Sequence, residues 1–476
     1  MSKLLERLLE WLAALGSPVV LLSATLPGER RKALLAAYRR GLNGYVKEAP
    51  VAPVKPVEYP RITWATKSES AEQHIESSAD LSRILQLKWV NGGVPDLSEE
   101  GYPLGEQLHA ALSDGGCAAV ICNTVNRAQQ VFRALQSYFA EYELDLFHAR
   151  FLFTDRDQRE KRALARFGKE GDEIEIEEGP GQKVERPHRF VLVATQVIEQ
   201  SLDLDFDLMV TDLAPVDLVL QRSGRLHRHS RARPAGLSQP VLWINETGNL
   251  SSGVPAFDDG SKVVYDEHIL LRSWLTLHEK STAAIPDDIE NFIETVYGHR
   301  ECPASAGEEL QAYWQQTKEE LSAKLKSMQT KADDVIIPPP HYPDNILEVW
   351  NKRLEEDEPE IHKSLQALTR LTEPTVSVVI LRATEHSRID LIQAPTYETV
   401  CFLLHHSVNL SHRGLVWNLL NCKVPDAWQR SALLRHHRLI KLDAEGNWND
   451  QDRTYQLRLD ERLGVVITKL KGTGNG

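Results

Sequence analysis

The 476-residue sequence has few cysteines and no long hydrophobic run, and each shortage excludes a class of protein. Its five cysteines form no C-x-x-C pair, which argues against a disulfide framework and a zinc site and indicates a reducing compartment. No apolar stretch approaches the roughly 18–20 residues that a membrane span needs. Glu6 and Glu10 interrupt the apolar start of the chain, which therefore does not read as a signal peptide. We expect a cytoplasmic protein without a membrane partner.

The sequence also lacks a phosphate-binding loop of the form G-x-x-x-x-G-K-[ST]. GPGQKVE at 179–185 has the glycines and the lysine but no hydroxyl residue, and KGTGNG at 471–476 precedes no helix. DEH at 266–268 lies on a predicted helix and is not read as a carboxylate pair for Mg²⁺. The sequence therefore predicts neither a complete nucleotide site nor a set of metal ligands.

The formal net charge of −13 is unfavourable for a protein coated in nucleic acid, although an acidic body can still carry a basic channel. Within this acidic chain, residues 105–245 alternate between apolar strand patterns and amphipathic helix patterns. This order predicts an α/β fold with a doubly wound parallel sheet. Sheets of this kind bind their ligands at the carboxyl ends of the strands. The predicted strands are GCAAVICNT, LDLFHARF, RFVLVAT, DLMVTDL and PVLWI.

The regions that flank this alternation carry their own patterns. A buried strand is predicted at 17–22, followed by a basic helix that ends at Gly41. The acidic stretch 169–186 is predicted to be a solvated loop, and 281–335 to be helical. A strand at 375–382 and a hairpin at 455–467 are expected near the end of the chain. The first helix is expected to place one row of leucines on one side: Leu4, Leu5, Leu8, Leu12 and Leu15.

The stretch QRSGRLHRH at 221–229 places an arginine at every third position. On a helix, Arg225 and Arg228 share a face, where their charges repel each other unless an anion lies between them. An ordinary alternative is that they pair with Asp217 and Asp212 on a solvated helix. The nearby histidines His227 and His229 do not share a helix face, so they are predicted to be structural or phosphate-facing and not metal ligands.

Four stretches, in order, resemble motifs III to VI of superfamily-2 helicases: SATLP, NTVNRAQQVFRAL, VATQVIEQSLDLDFD and QRSGRLHRH. Taken together they are similar to the CRISPR-associated helicase–nuclease of type I systems. The resemblance implies a RecA-like second motor domain, a helical linker and a small α+β C-terminal domain. The implied boundaries are 1–47 for the end of the first motor domain, 48–102 for a linker, 103–248 for the second motor domain, 249–372 for an accessory helical region and 373–476 for the C-terminal domain.

The resemblance also implies a role for each motif residue. Arg225 and Arg228 would be arginine fingers on the γ-phosphate of ATP, Gln221 would position water or phosphate, and Gly224 and Asp203 would lie at the nucleotide. A second group of residues would contact single-stranded DNA. A third group, of two residues, would couple the nucleotide state to domain closure. The DNA set is Thr124, Thr195, Gln196 and Glu199, and the coupling pair is Ser23 and Thr25.

Two parts of the related enzymes are not found in this sequence. No His-Asp dipeptide of the nuclease domain occurs, and only 22 residues precede Ser23, too few for a first motor domain. We therefore expect the chain to begin at the end of that domain, as a fragment, a split-gene product or the product of an internal start. ATP and Mg²⁺ would then be bound mainly by the missing domain, and the isolated chain is expected to lack ATPase activity.

The expected function is the C-terminal part of an ATP-dependent, single-stranded DNA translocase that unwinds and degrades invader DNA in type I CRISPR interference. Its expected partners are single-stranded DNA, the RNA-guided surveillance complex and, if the gene is split, an upstream polypeptide with the nuclease domain and phosphate-binding loop. Two alternatives stay open. One is a non-catalytic module that binds DNA or the surveillance complex, and the other is a fragment of another superfamily-2 helicase, such as an RNA helicase.

Overall fold

Two helices pack against each other at the start of the chain in the computed structural model, which describes residues 2–44, 57–77, 82–95, 101–169, 185–199, 202–246, 253–340, 375–387 and 389–470. Helix α1 spans Ser2–Ala14 and helix α2 spans Gly28–Leu42. The predicted leucine row is only partly right, because Leu8 and Leu15 are exposed while Leu9 is buried against α2.

The strand predicted at 17–22 is wrong. The segment belongs to none of the described helices and strands, and Val20 and Leu22 are 81% and 92% exposed. A β-strand is stabilised by a neighbouring ladder, and none of the described strands supplies one here. The segment is therefore an apolar, unpaired stretch at the surface of the described structure.

Gly41 does not end helix α2, which continues to Leu42. It lies where α2 crosses α1, and a Cβ atom at this position would come within 2.2 Å of the carbonyl oxygen of Glu10. Only glycine allows the two helix backbones to approach this closely. The glycine read as a helix stop is therefore a packing residue between the two helices.

A seven-stranded sheet forms the centre of the molecule. Its strands are β3 (Arg83–Val90), β4 (Gly116–Ile121), β5 (Leu144–Phe147), β6 (Arg189–Ala194), β7 (Leu208–Thr211), β8 (Val241–Asn245) and β9 (Thr282–Ile285). They lie in the order β5-β6-β4-β7-β8-β3-β9, and all neighbouring pairs are parallel except β3 with β9, which is antiparallel. The predicted α/β fold with a parallel-dominated sheet is confirmed.

Apolar side chains cover both faces of this sheet, as the continuous apolar runs predict. In β4, Cys117, Ala119 and Ile121 point into one core, whereas Ala118 and Val120 point into the other. The covering helices are α3 (Pro103–Ala111), α4 (Val125–Leu135), α5 (Phe153–Phe167), α6 (Val216–Ser223), α7 (Asp259–Val264), α8 (Glu267–His278), α9 (Ile289–Tyr297) and α10 (Glu308–Val335).

Strands from both flanking regions join the structure. Strand β3 comes from residues assigned to the linker, and β9 comes from the region predicted to be wholly helical, so that helical prediction is wrong at Thr282–Ile285. A separate hairpin of β1 (Arg61–Ala65) and β2 (Ser70–His74) also lies within the predicted linker. Most of the acidic stretch 169–186 lies outside the described residues. None of the described helices combines the length and apolarity needed to cross a membrane.

The C-terminal region is a mixed α+β unit, as predicted. One three-stranded sheet contains β10 (Val376–Leu381), β11 (Ser407–Leu410) and β12 (His437–Lys441), and the other contains β13 (Asn447–Asn449), β14 (Tyr455–Asp460) and β15 (Gly464–Lys469). Its helices are α11 (Ala383–His386), α12 (Tyr397–His405) and α13 (Arg413–Leu420). The predicted hairpin is the β14–β15 pair.

The turn of the β14–β15 hairpin packs against the part of the chain built on the seven-stranded sheet, beside the end of strand β5. Gln129 donates to the carbonyl oxygens of Leu463 and Val465 at 2.7 and 3.1 Å, and the buried His148 ring lies 3.1 Å from the Leu463 carbonyl. Gly464 has a positive φ of 66° and packs against the Arg150 carbonyl, where a Cβ atom would lie only 2.7 Å away. The hairpin turn therefore fixes the C-terminal unit against the edge of the large sheet.

Candidate functional site

The loops that leave β4, β6 and β7 meet around one buried guanidinium, that of Arg222 on helix α6. Its side chain is 0% exposed, and its Nε donates to the Glu199 carboxylate at 2.7 Å. Its Nη1 donates to the Thr211 hydroxyl at 2.8 Å and to the Asp212 carbonyl at 3.1 Å. A buried charge is tolerated when it is paired and fully hydrogen-bonded. Arg222 therefore ties the three loops into one unit, a role that the sequence reasoning did not assign to it.

Tyr265, which follows helix α7, joins the same network from the other side. Its hydroxyl oxygen accepts hydrogen bonds from Arg222 at 3.1 Å and from the Gln196 amide at 3.2 Å. Gln196 also donates to the carbonyl of Asn123 at 2.8 Å. Burial raises the pKa of Tyr265, so the phenol stays protonated at neutral pH. No sequence motif pointed to this tyrosine.

A second buried ion pair holds the loop after β4. Arg127 donates through Nε to both carboxylate oxygens of Asp212, at 2.7 and 2.8 Å. The same carboxylate accepts from the Asn123 backbone N–H at 3.0 Å and from the Asn245 amide at 2.7 Å. Asp212 is therefore fully occupied inside the protein, and the alternative in which it neutralises Arg225 or Arg228 is wrong.

Helix α6 ends at Ser223, before either arginine. The prediction that Arg225 and Arg228 share a helix face is therefore wrong. After Gly224 the chain forms a bridge with Phe206, in which Phe206 donates to the Arg225 carbonyl at 2.9 Å and His227 donates to the Phe206 carbonyl at 3.0 Å. His227 has a positive φ of 50°. The two arginines therefore lie on a turn that follows the helix and is held by backbone hydrogen bonds; residues 224–228 are called the arginine turn below.

Arg225 reaches across to the loop that follows β6. Its Nη2 donates to the Glu199 carbonyl at 2.9 Å, and its Nε lies 3.3 Å from the Ile198 carbonyl. Burial, followed by the positive charge of Arg228, lowers its pKa. Gln221 is exposed beside it and donates to the same Glu199 carbonyl at 3.4 Å. Arg225 and Gln221 thus border one surface.

Arg228 is more exposed, with 40% of its side chain accessible, and it forms an ion pair with Asp203. His229 lies 3.1 Å from the same carboxylate. Burial opposes ionisation of Asp203, but the hydrogen bond and charge of Arg228 prevail and lower its pKa. The ordinary alternative partner, Asp217, instead accepts a hydrogen bond from Tyr297. Arg228 therefore has an exposed partner that an incoming anion can displace.

Asp205 and Asp207, buried on the segment before β7, neutralise the remaining basic residues of this stretch. The Asp205 carboxylate accepts from the Arg228 backbone N–H at 2.7 Å and pairs with Arg233 at 2.9 Å. Asp207 pairs with Arg186 at 2.8 Å and also with Arg233. The basic run thus has its own internal counter-ions, and within 221–229 the partly exposed guanidiniums are those of Arg225 and Arg228.

The residues predicted to bind DNA are separated by their burial. The Thr124 hydroxyl caps helix α4 by accepting the Arg127 N–H at 3.3 Å, and it stays partly exposed. Thr195 is 2% exposed and Gln196 is engaged in the Tyr265 network. Glu199 is 4% exposed and paired with Arg222. This placement favours a structural role for Glu199 instead of the predicted DNA contact.

The predicted coupling residues lie apart from the arginine turn. Ser23 and Thr25 follow the unpaired segment, and the Ser23 hydroxyl accepts the Thr25 N–H at 3.3 Å. Both line a cavity of about 370 Å³ between helix α2, the β1–β2 hairpin and helix α9. The structure does not bring them to the arginines within the described residues.

Two family models match the chain. One describes the C-terminal part of the CRISPR-associated nuclease/helicase Cas3 and matches residues 114–231, and the other describes the Cas3 C-terminal domain and matches residues 370–465. The Cas3 endonuclease/helicase of Thermus thermophilus is 32% identical over an alignment of 530 residues, which covers 98% of this chain and 52% of that protein. The Cas3 of Streptococcus thermophilus is 30% identical over 388 residues, covering 80% of this chain and 39% of that protein. The chain thus spans about half the length of the first of these relatives, and less of the second.

Solved structures agree with these matches. The crystal structure of a CRISPR-associated protein has a TM-score of 0.86 and 44% identity, over 98% of this chain and 49% of that one. T. fusca Cas3 with ATP has a TM-score of 0.77 and 28% identity, over 98% of this chain and 52% of that one.

A chain of a CRISPR RNA-guided surveillance complex, in a pre-nicking state, has a TM-score of 0.72 and 28% identity, over 98% of this chain and 55% of that one. The matched residues include Arg222 with its partners Asn123, Glu199 and Thr211, the turn that carries Arg225 and Arg228, and the C-terminal hairpin as far as residue 465. The predicted resemblance is confirmed: the chain belongs to the Cas3 family of CRISPR-associated nuclease/helicases and corresponds to its C-terminal portion.

Proposed function

We propose that this chain supplies the second motor domain and the C-terminal domain of an ATP-dependent, single-stranded DNA translocase of type I CRISPR interference. The observation that carries the proposal is the arginine turn, where Arg225 and Arg228 are partly exposed while the neighbouring Arg127, Arg222 and Arg233 are paired with buried carboxylates. A relative of known structure was solved with ATP, and another belongs to a surveillance complex, which supports the same nucleotide and the same class of partner for this chain.

The terminal phosphate of ATP fits the arginine turn on chemical grounds. Among the described residues, the hydrogen bonds of Arg225 go to the neutral carbonyl oxygens of Ile198 and Glu199, and burial followed by the charge of Arg228 lowers its pKa. An anion placed between the two guanidiniums would remove this repulsion. When bound, ATP supplies the phosphoryl group, and these arginines would stabilise the charge that develops as it transfers to water. Gln221, which shares the Glu199 carbonyl with Arg225, would help to position a water molecule or a phosphate oxygen.

The fit does not extend to Mg²⁺. Within the part of the chain that the structure describes, no group of three or more histidine, cysteine, aspartate or glutamate residues is arranged to hold a metal ion. Asp205, Asp207 and Asp212 are committed to arginines. We therefore assign no step to Mg²⁺ at the residues of this chain.

The DNA side of the proposal rests on the carboxyl ends of β4 and β6. Thr124 is partly exposed there, and the Gln196 side-chain amide donates to the carbonyl of the preceding residue, Asn123, at 2.8 Å. Hydroxyl, amide and backbone N–H groups contact phosphates without reading the bases. Gln196 is joined through Tyr265 and Arg222 to Glu199, whose carbonyl oxygen accepts a hydrogen bond from Arg225. A change at the DNA side therefore has a short, continuous path to the nucleotide side.

The proposal is tested with a chimera in which this chain replaces the matching portion of the Thermus thermophilus relative, measured beside the 476-residue chain alone. We expect ATP turnover that single-stranded DNA stimulates in the chimera, and none in the chain alone, because its sequence has no phosphate-binding loop. A chimera that binds single-stranded DNA but does not hydrolyse ATP would contradict the proposal and favour a non-catalytic binding module. Stimulation by single-stranded RNA and not by DNA would favour a different helicase.

A further inference from the structure

Arg83, the first residue of strand β3, lies behind the arginine turn. It is distant in sequence from every helicase-like motif, and β3 brings it there by pairing with β8 and β9. Its Nη1 donates to the Leu226 carbonyl at 2.7 Å and its Nη2 donates to the Ser223 carbonyl at 2.9 Å. These two carbonyls lie on either side of Arg225. One planar guanidinium therefore spans the segment that presents Arg225.

The turn is held from its other side by Phe206, which exchanges backbone hydrogen bonds with Arg225 and His227. Helix α6 ends at Ser223, and Leu226 lies beyond it. The Leu226 carbonyl faces away from the bridge with Phe206, and on that side it accepts the hydrogen bond from Arg83. The guanidinium offers its donors in a rigid fork, so it satisfies two carbonyl oxygens as hydrogen-bond acceptors and fixes the spacing between them. Arg83 and Phe206 together clamp both edges of the turn.

This contact places a third positive charge close to two others. Burial and then the charge of Arg228 lower the pKa of Arg83, just as they do for Arg225. The Nε of Arg83 is buried and has no hydrogen-bond partner among the described residues. The buried Asp205 carboxylate offsets part of this repulsion, and an anion bound at the turn would offset more of it.

We infer that Arg83 is a positioning residue for the nucleotide-side arginines: by clamping the Ser223 and Leu226 carbonyls it fixes the turn so that Arg225 and Arg228 meet one phosphate. This inference rests on the function proposed above. Arg83 acts through the turn and is not itself assigned a contact with the nucleotide. Its loss should change the chemical step more than the binding of ATP.

The test in the ATP-hydrolysing chimera uses Arg83→Ala and Arg83→Lys, with Lys88→Ala as the matched control. Lys88 lies on the same strand and contacts the Trp243 ring instead of the turn. A misplacement of about 1 Å can cost on the order of 100-fold in rate, so we expect Arg83→Ala to lower kcat at least ~10-fold while KM for ATP changes less than ~3-fold. Lysine keeps the charge but cannot bridge two carbonyls in a fork, so Arg83→Lys should stay close to Arg83→Ala.

Full activity of Arg83→Lys would show that charge alone suffices and would overturn the inference. An Arg83→Ala chimera with unchanged kcat would also overturn it. Arg225→Ala is measured in parallel: if it leaves turnover unchanged, the proposed function fails, whereas a loss confined to Arg225→Ala defeats only the role of Arg83.

Hydrogen exchange of the 476-residue chain gives a second readout that does not depend on ATP hydrolysis. Arg83→Ala should speed exchange at the Leu226 and His227 amides, while amides of the C-terminal strands, such as Val378, should keep the wild-type rate and report that the variant is folded. Equal protection of the Leu226 and His227 amides in variant and wild type would refute the clamp.

Discussion

Neutralising Glu199 should destabilise the large sheet domain, because it leaves the Arg222 guanidinium buried without its charged partner. The Arg222 side chain is 0% exposed and its Nε lies 2.7 Å from the Glu199 carboxylate. Its partners in Asn123, Thr211 and Tyr265 are neutral. Removing one member of a buried ion pair costs about 3–5 kcal/mol.

Glu199→Gln is the informative variant, since glutamine retains the size and one acceptor oxygen. The Asp212 carboxylate lies near Arg222 but is committed to Arg127, so it offsets only part of the lost charge. We therefore expect the lower end of that range, about 3 kcal/mol. With a denaturant dependence of about 3 kcal/mol per molar urea, the unfolding midpoint should fall by about 1 M.

Equilibrium urea unfolding of the chain, followed by fluorescence and far-ultraviolet circular dichroism, measures this change. The matched control is Asp157→Asn, which breaks the exposed Asp157–Lys161 pair on helix α5 of the same domain. An exposed pair contributes about 0–1 kcal/mol, so the control should stay near wild type. If Glu199→Gln is no less stable than Asp157→Asn and instead weakens single-stranded DNA binding, then Glu199 contacts DNA and its pairing with Arg222 does not stabilise the fold.

Two further predictions concern packing and pH. Gly41→Ala should separate helices α1 and α2, since its Cβ would meet the Glu10 carbonyl at 2.2 Å; we expect a loss of about 1–3 kcal/mol, and unchanged thermal stability would contradict the close approach. Burial lowers the pKa of His148 to about 3, below its unfolded value of about 6.5, so its contribution to stability is present above pH 6.5 and is lost as the pH falls towards 3. Between pH 7 and 5 wild type should lose about 2 kcal/mol more stability than His148→Gln, and parallel pH profiles for the two proteins would refute this.

Much of the fold follows from patterns along the chain, because the sheet is made by strands whose apolar runs are buried on both faces. The strands at 116–121, 189–194, 208–211 and 241–245 were all expected, as was the parallel order. Strand β9 was missed, since four residues beside a strong helix pattern carry little signal. The segment 17–22 has a strand pattern but no described neighbour to pair with, and pairing is not encoded locally.

The site was predictable only in part. The motif that groups Arg225, Arg228 and Gln221 is local in sequence, and the structure keeps these residues close together: Gln221 lies in the last turn of helix α6, and the two arginines follow the end of that helix. Arginine spacing alone suggested a shared helix face, and Gly224 instead marks the point where the helix ends. Tyr265 and Arg83 join the site through tertiary contacts from residues outside every motif. The assigned roles of the motif residues in hydrolysis and in DNA binding stay predictions.

The central claim is that Arg225 and Arg228 face the nucleotide and not the DNA. It is tested most directly by ATP turnover and single-stranded DNA affinity, measured together for Arg225→Ala and Arg228→Ala in the hydrolysing chimera. Loss of a transition-state arginine costs on the order of 10³–10⁵ in turnover in related phosphoryl-transfer enzymes, so turnover should collapse while DNA affinity stays within about threefold of wild type. Variants that lose DNA affinity but keep their ATP turnover would show that the two faces of this domain have been assigned the wrong way round.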